Sequence, residues 1–421
     1  MDNKTRLAAL LGALCSLGPL SIDTYLPAFP DMAREFGTGG SQVQLSLTTF
    51  IIGLSLGQLL VGPLSDSWGR RRPLLVGLGG YVLVSLVCAA APGALAFSGL
   101  RLLQGLGVAA GFVVAAAIAR DRFEGLAMAR FMSLMMMVNG MGPVLAPVLG
   151  GQLLRFTSWR GTFVVLALLG LVLLVLLALT LPETLPPDRR RPANLLLTLR
   201  VFGGLLADRK FLGYVLASSL ALGSLFAYVA GASFVLQDVF GLTAQQFSYV
   251  FAANSVAIFL AGVLNTRLTG RIMPRPLLKT GLAGAAVGGV GLVVGAALDG
   301  GLATFLPPLF VLTIGVGLLM PNASTLAMSR HPEAAGSASA VLGVLTFLVG
   351  GLMAPLVGAG GSASLLPMVT VMGASAVLAT VVFAVLTRGD VGITRDGETR
   401  GREVRDGEAR GGEASAAVPA R

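Results

Sequence analysis

The sequence contains little charge for its length. Only 12% of its 421 residues are charged, 55% are hydrophobic, and the mean hydropathy is +0.83. A soluble domain carries about 25% charged residues. This shortage of charge excludes an ordinary soluble protein and indicates a chain that is embedded in a lipid bilayer.

Residues that bind metals or form disulfides are also scarce. The chain has two cysteines, Cys15 and Cys88, inside apolar segments, and one histidine, His331, in a polar loop. This set provides no disulfide framework and too few ligands for a zinc or haem site. It also lacks the nucleophile, base or metal cluster that an enzyme in the membrane needs. We therefore expect neither enzymatic activity nor a cofactor.

Positive charge is in excess, but it is not concentrated in one place. The net charge is +10, and the basic residues recur in short clusters between apolar segments. A nucleic-acid-binding surface needs its charge on one face, so this distribution argues against that function. Short basic clusters between apolar segments are typical of cytoplasmic loops.

Twelve apolar segments are long enough to cross a bilayer as helices, which takes about 20 residues each. They cover residues 7–29, 43–64, 73–91, 96–118, 130–153, 162–181, 211–236, 247–266, 277–298, 303–328, 335–358 and 365–387. The sequence therefore predicts an all-α membrane protein with twelve transmembrane helices.

The basic residues predict how these helices are oriented. With a cytoplasmic N-terminus, nineteen Lys and Arg residues before the C-terminal tail fall in cytoplasmic segments. The opposite side then holds only Arg34, Arg155 and Arg160. Cytoplasmic loops carry such an excess of positive residues. We therefore expect both termini to be cytoplasmic.

A polar stretch near the middle of the chain divides the twelve segments into two sets of six. We expect an N-terminal six-helix bundle over residues 1–186, a cytoplasmic central loop over 187–210 and a C-terminal six-helix bundle over 211–387. The Gly-rich, charge-balanced residues 388–421 cannot bury enough apolar surface to fold alone. We expect them to form a disordered cytoplasmic tail.

Two charged residues, Asp23 and Arg101, lie well inside the apolar segments. A charge in hydrocarbon costs about 2.5–3.5 kcal/mol or more, which makes each a candidate functional residue. Aspartate can bind and release a proton, whereas arginine keeps its charge. Each lies about 8–9 Å below the outer end of its helix at 1.5 Å per residue, so the two can meet. A static ion pair is the alternative to a role in proton coupling.

The loop after the second segment combines glycine, acid and arginine in a compact pattern. Its candidate residues for a cytoplasmic gate are Gly62, Asp66, Gly69, Arg70 and Arg71. An acid held near helix ends and arginines can latch one side of a transporter, and a basic loop that only sets topology is the alternative. The loop resembles the hallmark loop of the major facilitator superfamily, Gly-x-Leu-x-Asp-Arg-x-Gly-Arg-Arg. It departs from that pattern at Ser67, where the family usually has Arg.

The second half of the chain contains a partial copy of this loop about 200 residues later. Gly262, Leu264 and Thr266 correspond to Gly62, Leu64 and Asp66, and Gly270-Arg271 follows one residue late. Repeats of this kind are what transporter folds are built from. The resemblance implies two pseudo-symmetric six-helix bundles, as in the major facilitator fold.

The fifth segment contains small residues and prolines at regular spacing. Glycine or alanine every four residues makes a flat face for a neighbouring helix, and proline bends the helix. The run resembles the antiporter signature of the superfamily, and a purely structural packing face is the alternative. Its residues are Gly142, Pro143, Ala146, Pro147, Gly150 and Gly151.

Further motifs narrow the resemblance. Arg101, Gln104 and Gly105 are similar to the Arg-x-x-Gln-Gly signature of drug:proton exporters. The residues around Asp23, together with Arg120–Phe123 and Leu181–Thr184, resemble the bicyclomycin and chloramphenicol resistance subfamily of twelve-helix drug:proton antiporters. In this chain Ala116 stands where many relatives carry an Arg, and Thr346 where a Gln is frequent.

The resemblance implies a monomer in the bacterial cytoplasmic membrane that exports small-molecule drugs in exchange for protons, with the proton gradient as its energy source. Asp23 and Arg101 would couple transport to protons. Aromatic, Met and amide side chains suit a drug cavity between the halves, although each also occurs in ordinary helix packing. The candidates are Tyr25, Phe29, Gln104, Met136, Asn139, Phe226, Tyr228, Phe234 and Asn254. The main alternative is a proton-coupled importer or exporter of a small metabolite with the same fold.

Overall fold

A computed structural model describes residues 3–123, 125–190, 195–361 and 364–390. Residues 391–421 of the predicted tail lie outside the described residues. The described part contains fifteen α-helices. They are α1 (Asn3–Asp23), α2 (Phe29–Glu35), α3 (Gly40–Trp68), α4 (Arg71–Ala89), α5 (Ala94–Arg122), α6 (Gly125–Gly140), α7 (Gly142–Leu153), α8 (Trp159–Thr180), α9 (Leu195–Ala207), α10 (Arg209–Phe234), α11 (Ala244–Leu268), α12 (Pro274–Ala297), α13 (Gly301–Met328), α14 (Ala335–Ala359) and α15 (Leu366–Leu386).

Eleven continuous helical stretches of the described chain are long and apolar enough to cross a membrane. The remaining predicted segment, 130–153, is divided between α6 and α7 at Met141, so the prediction of one continuous helix there is wrong. Pro143 lacks an N–H and its ring crowds the preceding turn, and glycines flank the break. Large apolar side chains such as Val76, Leu95 and Leu179 are 72%, 82% and 79% exposed, as expected for lipid-facing surfaces.

Glycines set the closest helix contacts in both halves. In the first half, a Cβ on Gly53 would overlap the carbonyl oxygen of Leu102, and one on Gly105 would overlap that of Phe50. In the second half, the packing of α12 on α13 relies on Gly288 in the same way, because its Cβ would overlap the backbone at Leu312. Helices in lipid associate through such small residues.

The partial repeat noted in the sequence has the same backbone shape in both halves. α3 ends at Gly69 with φ +89°, and the turn after α11 contains Gly270 with φ +90°. Only glycine adopts this left-handed region without strain. The two turns are therefore equivalent in conformation, although Asp66 of the first corresponds to Thr266 of the second.

Residues 195–207 of the predicted central loop form helix α9. This helix packs on α10 and α14. Leu205 is buried, whereas Arg200 is exposed. Asp208 ends α9 and caps α10, since its carboxylate accepts a hydrogen bond from the backbone N–H of Lys210.

Two ends of the molecule are named by their residues. The basic end contains the turn 62–72 and the start of α10, and the far end contains the turn from α1 into α2. The first half of the molecule comprises α1–α8, and the second half comprises α10–α15.

Candidate functional site

A cavity of about 240 Å³ lies between the two halves and is here called the central cavity. Helices α1, α3, α5 and α7 of the first half and α10, α11 and α14 of the second half contribute to its wall. The wall is mainly apolar and aromatic, with Phe112, Phe226, Tyr228, Phe251 and Phe347 among its residues. Its only carboxylate belongs to Asp23.

Asp23 is the last residue of α1 and is 5% exposed. Within the described part of the chain, its carboxylate takes part in no hydrogen bond or ion pair that the structure records. Tyr228 faces the same cavity from the second half, and its buried hydroxyl has no hydrogen-bond partner among the described residues. Asp23 and Tyr228 therefore border the same cavity from opposite halves of the molecule.

The end of α1 is fixed by a buried aromatic anchor. After Asp23 the chain makes a 3₁₀ turn over Leu26–Ala28, where Pro27 fits the first turn. The hydroxyl of Tyr25 is hydrogen-bonded to Ser46 at 2.9 Å, and its ring packs edge-on against Phe29. These contacts place Asp23 at the boundary between a regular helix and a tight turn.

Arg101 is fully buried but does not pair with Asp23 in this structure. Its guanidinium donates hydrogen bonds to Gln104 Oε1 and, at 2.9 Å, to the carbonyl oxygen of Ser21. The same group lies 4.2 Å from the ring centroid of Phe50. The expected meeting of the two charges is therefore only partly correct. The guanidinium reaches α1 two residues before Asp23, but its partners are a carbonyl, an amide and aromatic rings.

A polar network extends from Arg101 through the first half. The amide of Gln104 donates to Ser85 Oγ at 2.7 Å, and the hydroxyl of Tyr81 is hydrogen-bonded to Ser21 Oγ at 2.7 Å. Buried polar groups of this kind fix helices in one arrangement when they are satisfied. Ser21, Tyr81 and Ser85 are not among the residues predicted from the sequence. Their only sequence signal is that each is a polar residue within an apolar segment.

The predicted cavity residues divide into three groups. Phe226, Tyr228 and Asn254 line the central cavity. The side chains of Met136 and Asn139 lie outside the described residues. The others, Tyr25, Phe29, Gln104 and Phe234, do not line it, and this part of the prediction is corrected.

These four side chains are held in tight packing elsewhere. Gln104 belongs to the Arg101 network, and Tyr25 anchors the end of α1. Phe29 packs on Phe234 with 5.9 Å between ring centroids, across the two halves at the far end. Sequence periodicity identifies a buried face but does not distinguish a packed side chain from one that borders a cavity.

The far end is closed by hydrogen bonds between the halves. Ser233 Oγ donates to the carbonyl oxygen of Leu26 at 2.6 Å, and the amide of Gln237 donates to that of Pro27 at 3.0 Å. Gln237 lies in a π-helical turn, Val235–Val239, that continues α10. Further hydrogen bonds across the halves are also at this end: Ser41 to Gly358, Gln44 to Ala230, Gln152 to Tyr249 and Gln245 to Gly151.

The glycine face of α7 packs between the two halves. A Cβ on Gly150 would overlap the carbonyl oxygen of Thr24, and a Cβ on Gly142 would lie 3.0 Å from Pro19 Cβ. On the other side, a Cβ on Gly151 would overlap Ser248 Oγ of α11. Ala146 is fully buried, and Pro143 lines the central cavity. The predicted packing face thus lies against α1 beside Asp23 and also reaches the second half.

At the basic end, Arg70 is the centre of a charge cluster in the first half. Its guanidinium donates to Asp66 at 2.5 Å, to Asp121 at 3.0 Å and to Ser65 Oγ at 2.9 Å. Of the other predicted gate residues, Gly69 provides the turn, whereas a Cβ on Gly62 would meet open space. Asp121 was known from the sequence only as part of a family motif, and the structure brings it to the gate.

Glu183, just beyond α8, holds the start of α4. Its carboxylate accepts hydrogen bonds from the backbone N–H groups of Arg70, Arg71, Thr184 and Leu185, at 2.8 to 3.2 Å. Partial burial alone would raise the pKa of Glu183, but these hydrogen bonds outweigh it and hold that pKa below its usual value. Arg71 also donates to the carbonyl oxygen of Ala178 at 2.6 Å.

The second half has its own charge cluster at the basic end. Arg330 pairs with Asp208 at 2.7 Å and with Asp390 at 3.6 Å, and Tyr214 donates to Asp390 at 2.9 Å. The ring of His331 is hydrogen-bonded to Asp208 at 3.2 Å. Burial would raise the pKa of Asp208, but its hydrogen bonds, from Arg330 above all, hold it below the usual value. In the described part of the chain, no ion pair at this end joins the two halves.

Potential metal ligands are not clustered in the part of the site that the structure describes. Within residues 3–123, 125–190, 195–361 and 364–390, no cluster of three or more His, Cys, Asp or Glu side chains is placed to hold a metal ion. Among the described residues, the geometry offers a closed far end, an apolar cavity with the carboxylate of Asp23 in its wall, and one charge cluster at the basic end of each half.

Comparisons with known proteins agree with this architecture. A model of the Major Facilitator Superfamily matches residues 10–355. An uncharacterized MFS-type transporter of Bacillus subtilis (strain 168), YdgK, is 41% identical and covers 92% of this chain and 96% of its own length. A bicyclomycin resistance protein homolog of Haemophilus influenzae is 34% identical, with 90% and 95% covered. Multidrug resistance protein D of Escherichia coli (strain K12) is 29% identical, with 84% and 89% covered.

Solved structures share the fold at low sequence identity. A bacterial homolog of the human lysosomal transporter Spinster, in an inward-facing and occupied conformation, aligns with a TM-score of 0.73 at 16% identity, covering 92% of this chain and 97% of its own. A D-xylose-proton symporter aligns with a TM-score of 0.68 at 18% identity, covering 90% and 96%. The predicted fold of twelve helices in two six-helix bundles is confirmed.

Proposed function

Because this chain belongs to the major facilitator superfamily, a family of membrane transporters and not of enzymes, we propose that it exports small-molecule drugs in exchange for protons. Relatives named for resistance to bicyclomycin and to chloramphenicol support a drug as cargo. In this proposal the basic end faces the cytoplasm of a bacterial cell, as the distribution of Lys and Arg predicts.

The observation that carries the proposal is the unpaired carboxylate of Asp23 in the wall of the central cavity. A carboxylate without a fixed partner can exchange its proton with whatever enters the cavity. Arg101 keeps its charge throughout and is hydrogen-bonded to the carbonyl oxygen of Ser21, two residues before the acid. An incoming drug can thus displace the proton, and renewed protonation can displace the drug.

The closed far end and the separate basic ends support an inward-facing starting state. To expose Asp23 to the other side, the hydrogen bonds of Ser233 and Gln237 at the far end must break, and the basic ends of the two halves must approach. In this proposal the Arg70 and Arg330 clusters move as units, since the ion pairs that each arginine makes with described residues lie within its own half. One proton moved through 100 mV supplies about 2.3 kcal/mol, enough for roughly a 50-fold gradient of drug.

Purified protein in liposomes tests the proposal. With an imposed proton gradient, we expect chloramphenicol or bicyclomycin to be transported against its own gradient, and drug addition to move protons the opposite way. Asp23→Asn should abolish both signals while the protein stays folded and binds drug. Asp31→Asn is the matched control, because Asp31 is an exposed acid at the far end.

The direction of transport decides between the proposal and its main alternative. In inside-out vesicles, a proton-driven exporter accumulates labelled drug, whereas an importer does not. Full accumulation by Asp23→Asn would remove that residue from the coupling step. If no drug of a broad panel is transported in any assay but a metabolite is, the proposed cargo is wrong.

A further inference from the structure

A second cavity adjoins the central cavity and is larger, at about 520 Å³. The two share Leu222, Leu225 and Ile258 as wall residues. The rest of the second cavity is formed by α11 and α13, with Met137 of α6 at one side. It extends from the shared wall towards the basic end, where Thr266 lies.

The walls of this second cavity are suited to an apolar occupant. They include no charged residue, and the hydroxyl of Thr266 is already bonded to the carbonyl oxygen of Val263 at 2.7 Å. Met137 and Met320 provide flexible, polarizable side chains that adapt to the shape of a ligand. The central cavity differs, because it contains Asp23.

Small residues keep the second cavity open. A Cβ placed on Gly262 would have no atom within 4 Å, so the space beside this glycine is unfilled. Gly317 of the facing helix α13 lies so close to α11 that a Cβ there would overlap the side chain of Ala261. α11 and α13 are therefore in contact behind the cavity. A larger residue at position 262 would therefore fill the space without displacing backbone.

We propose that the second cavity is a subsite for the alkyl chain of an amphiphilic substrate whose polar head lies beside Asp23. The basis for this inference is that the two cavities adjoin, with Leu222, Leu225 and Ile258 in the walls of both. A single molecule can extend from the carboxylate to the basic end, and the head that suits a lone carboxylate is a cation. The inference rests on the proposed function, since it takes the central cavity as the site for the transported head group.

This subsite makes affinity depend on chain length. Each methylene group buried from water contributes about 0.8 kcal/mol, or roughly a fourfold gain in affinity. A butyl chain is too short to leave the central cavity, whereas a dodecyl chain must enter the second one. Filling the second cavity should therefore penalise only the long chain.

Binding of alkyltrimethylammonium ions to the full-length protein in nanodiscs tests the inference. Butyl, octyl and dodecyl members are compared on wild type, Gly262→Leu and Val263→Phe, both of which fill the second cavity. Gly80→Leu is the matched control, because Gly80 is exposed on α4 and its Cβ would meet nothing. The ratio of variant to wild-type Kd at each length cancels partition of the ligand into the lipid.

We expect the dodecyl Kd to rise at least about tenfold in both filling variants, from the loss of two or more buried methylenes, and the butyl Kd to stay within about twofold. Equal ratios at all lengths, or no change in the dodecyl Kd, would overturn the subsite. These assays need no proton gradient. If wild type fails to exchange protons for drug but the length-dependent ratios hold, the proposed function falls while the subsite stands.

Discussion

The guanidinium of Arg101 donates to the carbonyl oxygen of Ser21 at 2.9 Å, two residues before Asp23. The buried cation is thus bonded to the backbone of α1 and not to the carboxylate at its end. Aromatic rings complete its surroundings, with Tyr25 at 4.7 Å and Phe50 at 4.2 Å from the guanidinium carbon. In this state Arg101 positions the end of α1 and forms no recorded ion pair with Asp23 in the described part of the chain.

Arg101→Lys should therefore impair coupled transport although it keeps the charge. A lysine ammonium is a compact charge that cannot make both hydrogen bonds and also lie flat on Phe50. We expect the proton-driven export rate to fall at least about tenfold, with an intact fold. The exposed Arg34→Lys is the control, and equal export rates for the two variants would contradict this positioning role.

Tyr228→Phe should separate stability from transport. The hydroxyl of Tyr228 is buried without a partner in this state, and such a group costs about 1–3 kcal/mol. Its removal should leave Tm unchanged or raised. We expect export to slow about tenfold or more, because this hydroxyl is a polar group of the second half that faces the same cavity as Asp23. Tyr214→Phe is the control. Its Tm should fall, because the hydroxyl of Tyr214 donates a hydrogen bond to Asp390.

Gly150→Ala should destabilise the protein, in contrast to the same change elsewhere. The new Cβ would overlap the carbonyl oxygen of Thr24, and overpacking of this kind costs about 1–3 kcal/mol. Gly79→Ala on α4 meets no atom, so the better helix propensity of alanine should raise Tm. Thermal unfolding of both variants checks the contrast. A Tm for Gly150→Ala at or above wild type would show that α7 and α1 are not held in this close contact.

Much of the fold follows from hydropathy, because spanning helices must satisfy their backbone internally and present apolar residues to lipid. Hydropathy did not predict the break between helices at Met141, although the sequence has Pro143 and neighbouring glycines there. Proline is tolerated within other helices of this chain, such as Pro63 in α3 and Pro355 in α14, so its presence alone does not identify a break.

Residues of the candidate site were predictable where burying a charge costs free energy. They were less predictable where only side-chain packing decides the position. Asp23 and Arg101 were selected because a buried charge needs a reason, and the structure buries both. The partners of Arg101 were not predictable, since a carbonyl oxygen carries no sequence signal. Glu183 reaches the start of α4 because of the way α8 packs on α4. A single sequence does not reveal that packing.

The contacts of Glu183 give a prediction with a definite dependence on pH. Its carboxylate accepts from the first backbone N–H groups of α4, as an N-terminal cap does, and caps contribute about 1 kcal/mol. The pKa of Glu183 is lower in the folded protein than the usual value for a glutamate, because its backbone hydrogen bonds outweigh the effect of partial burial. Its contribution is therefore complete above that value and is lost as pH falls through the lowered pKa.

Hydrogen–deuterium exchange of the turn between α3 and α4 measures this contribution. At pH 7, Glu183→Gln should exchange about fivefold faster than wild type there, which corresponds to about 1 kcal/mol. The two proteins should converge once the pH falls below the lowered pKa of Glu183, after correction for the intrinsic exchange rate, because the wild-type carboxylate is then protonated. Asp188→Asn, an exposed acid five residues on, should match wild type throughout. A constant gap between wild type and Glu183→Gln at every pH would mean that side-chain shape, and not charge, holds the start of α4.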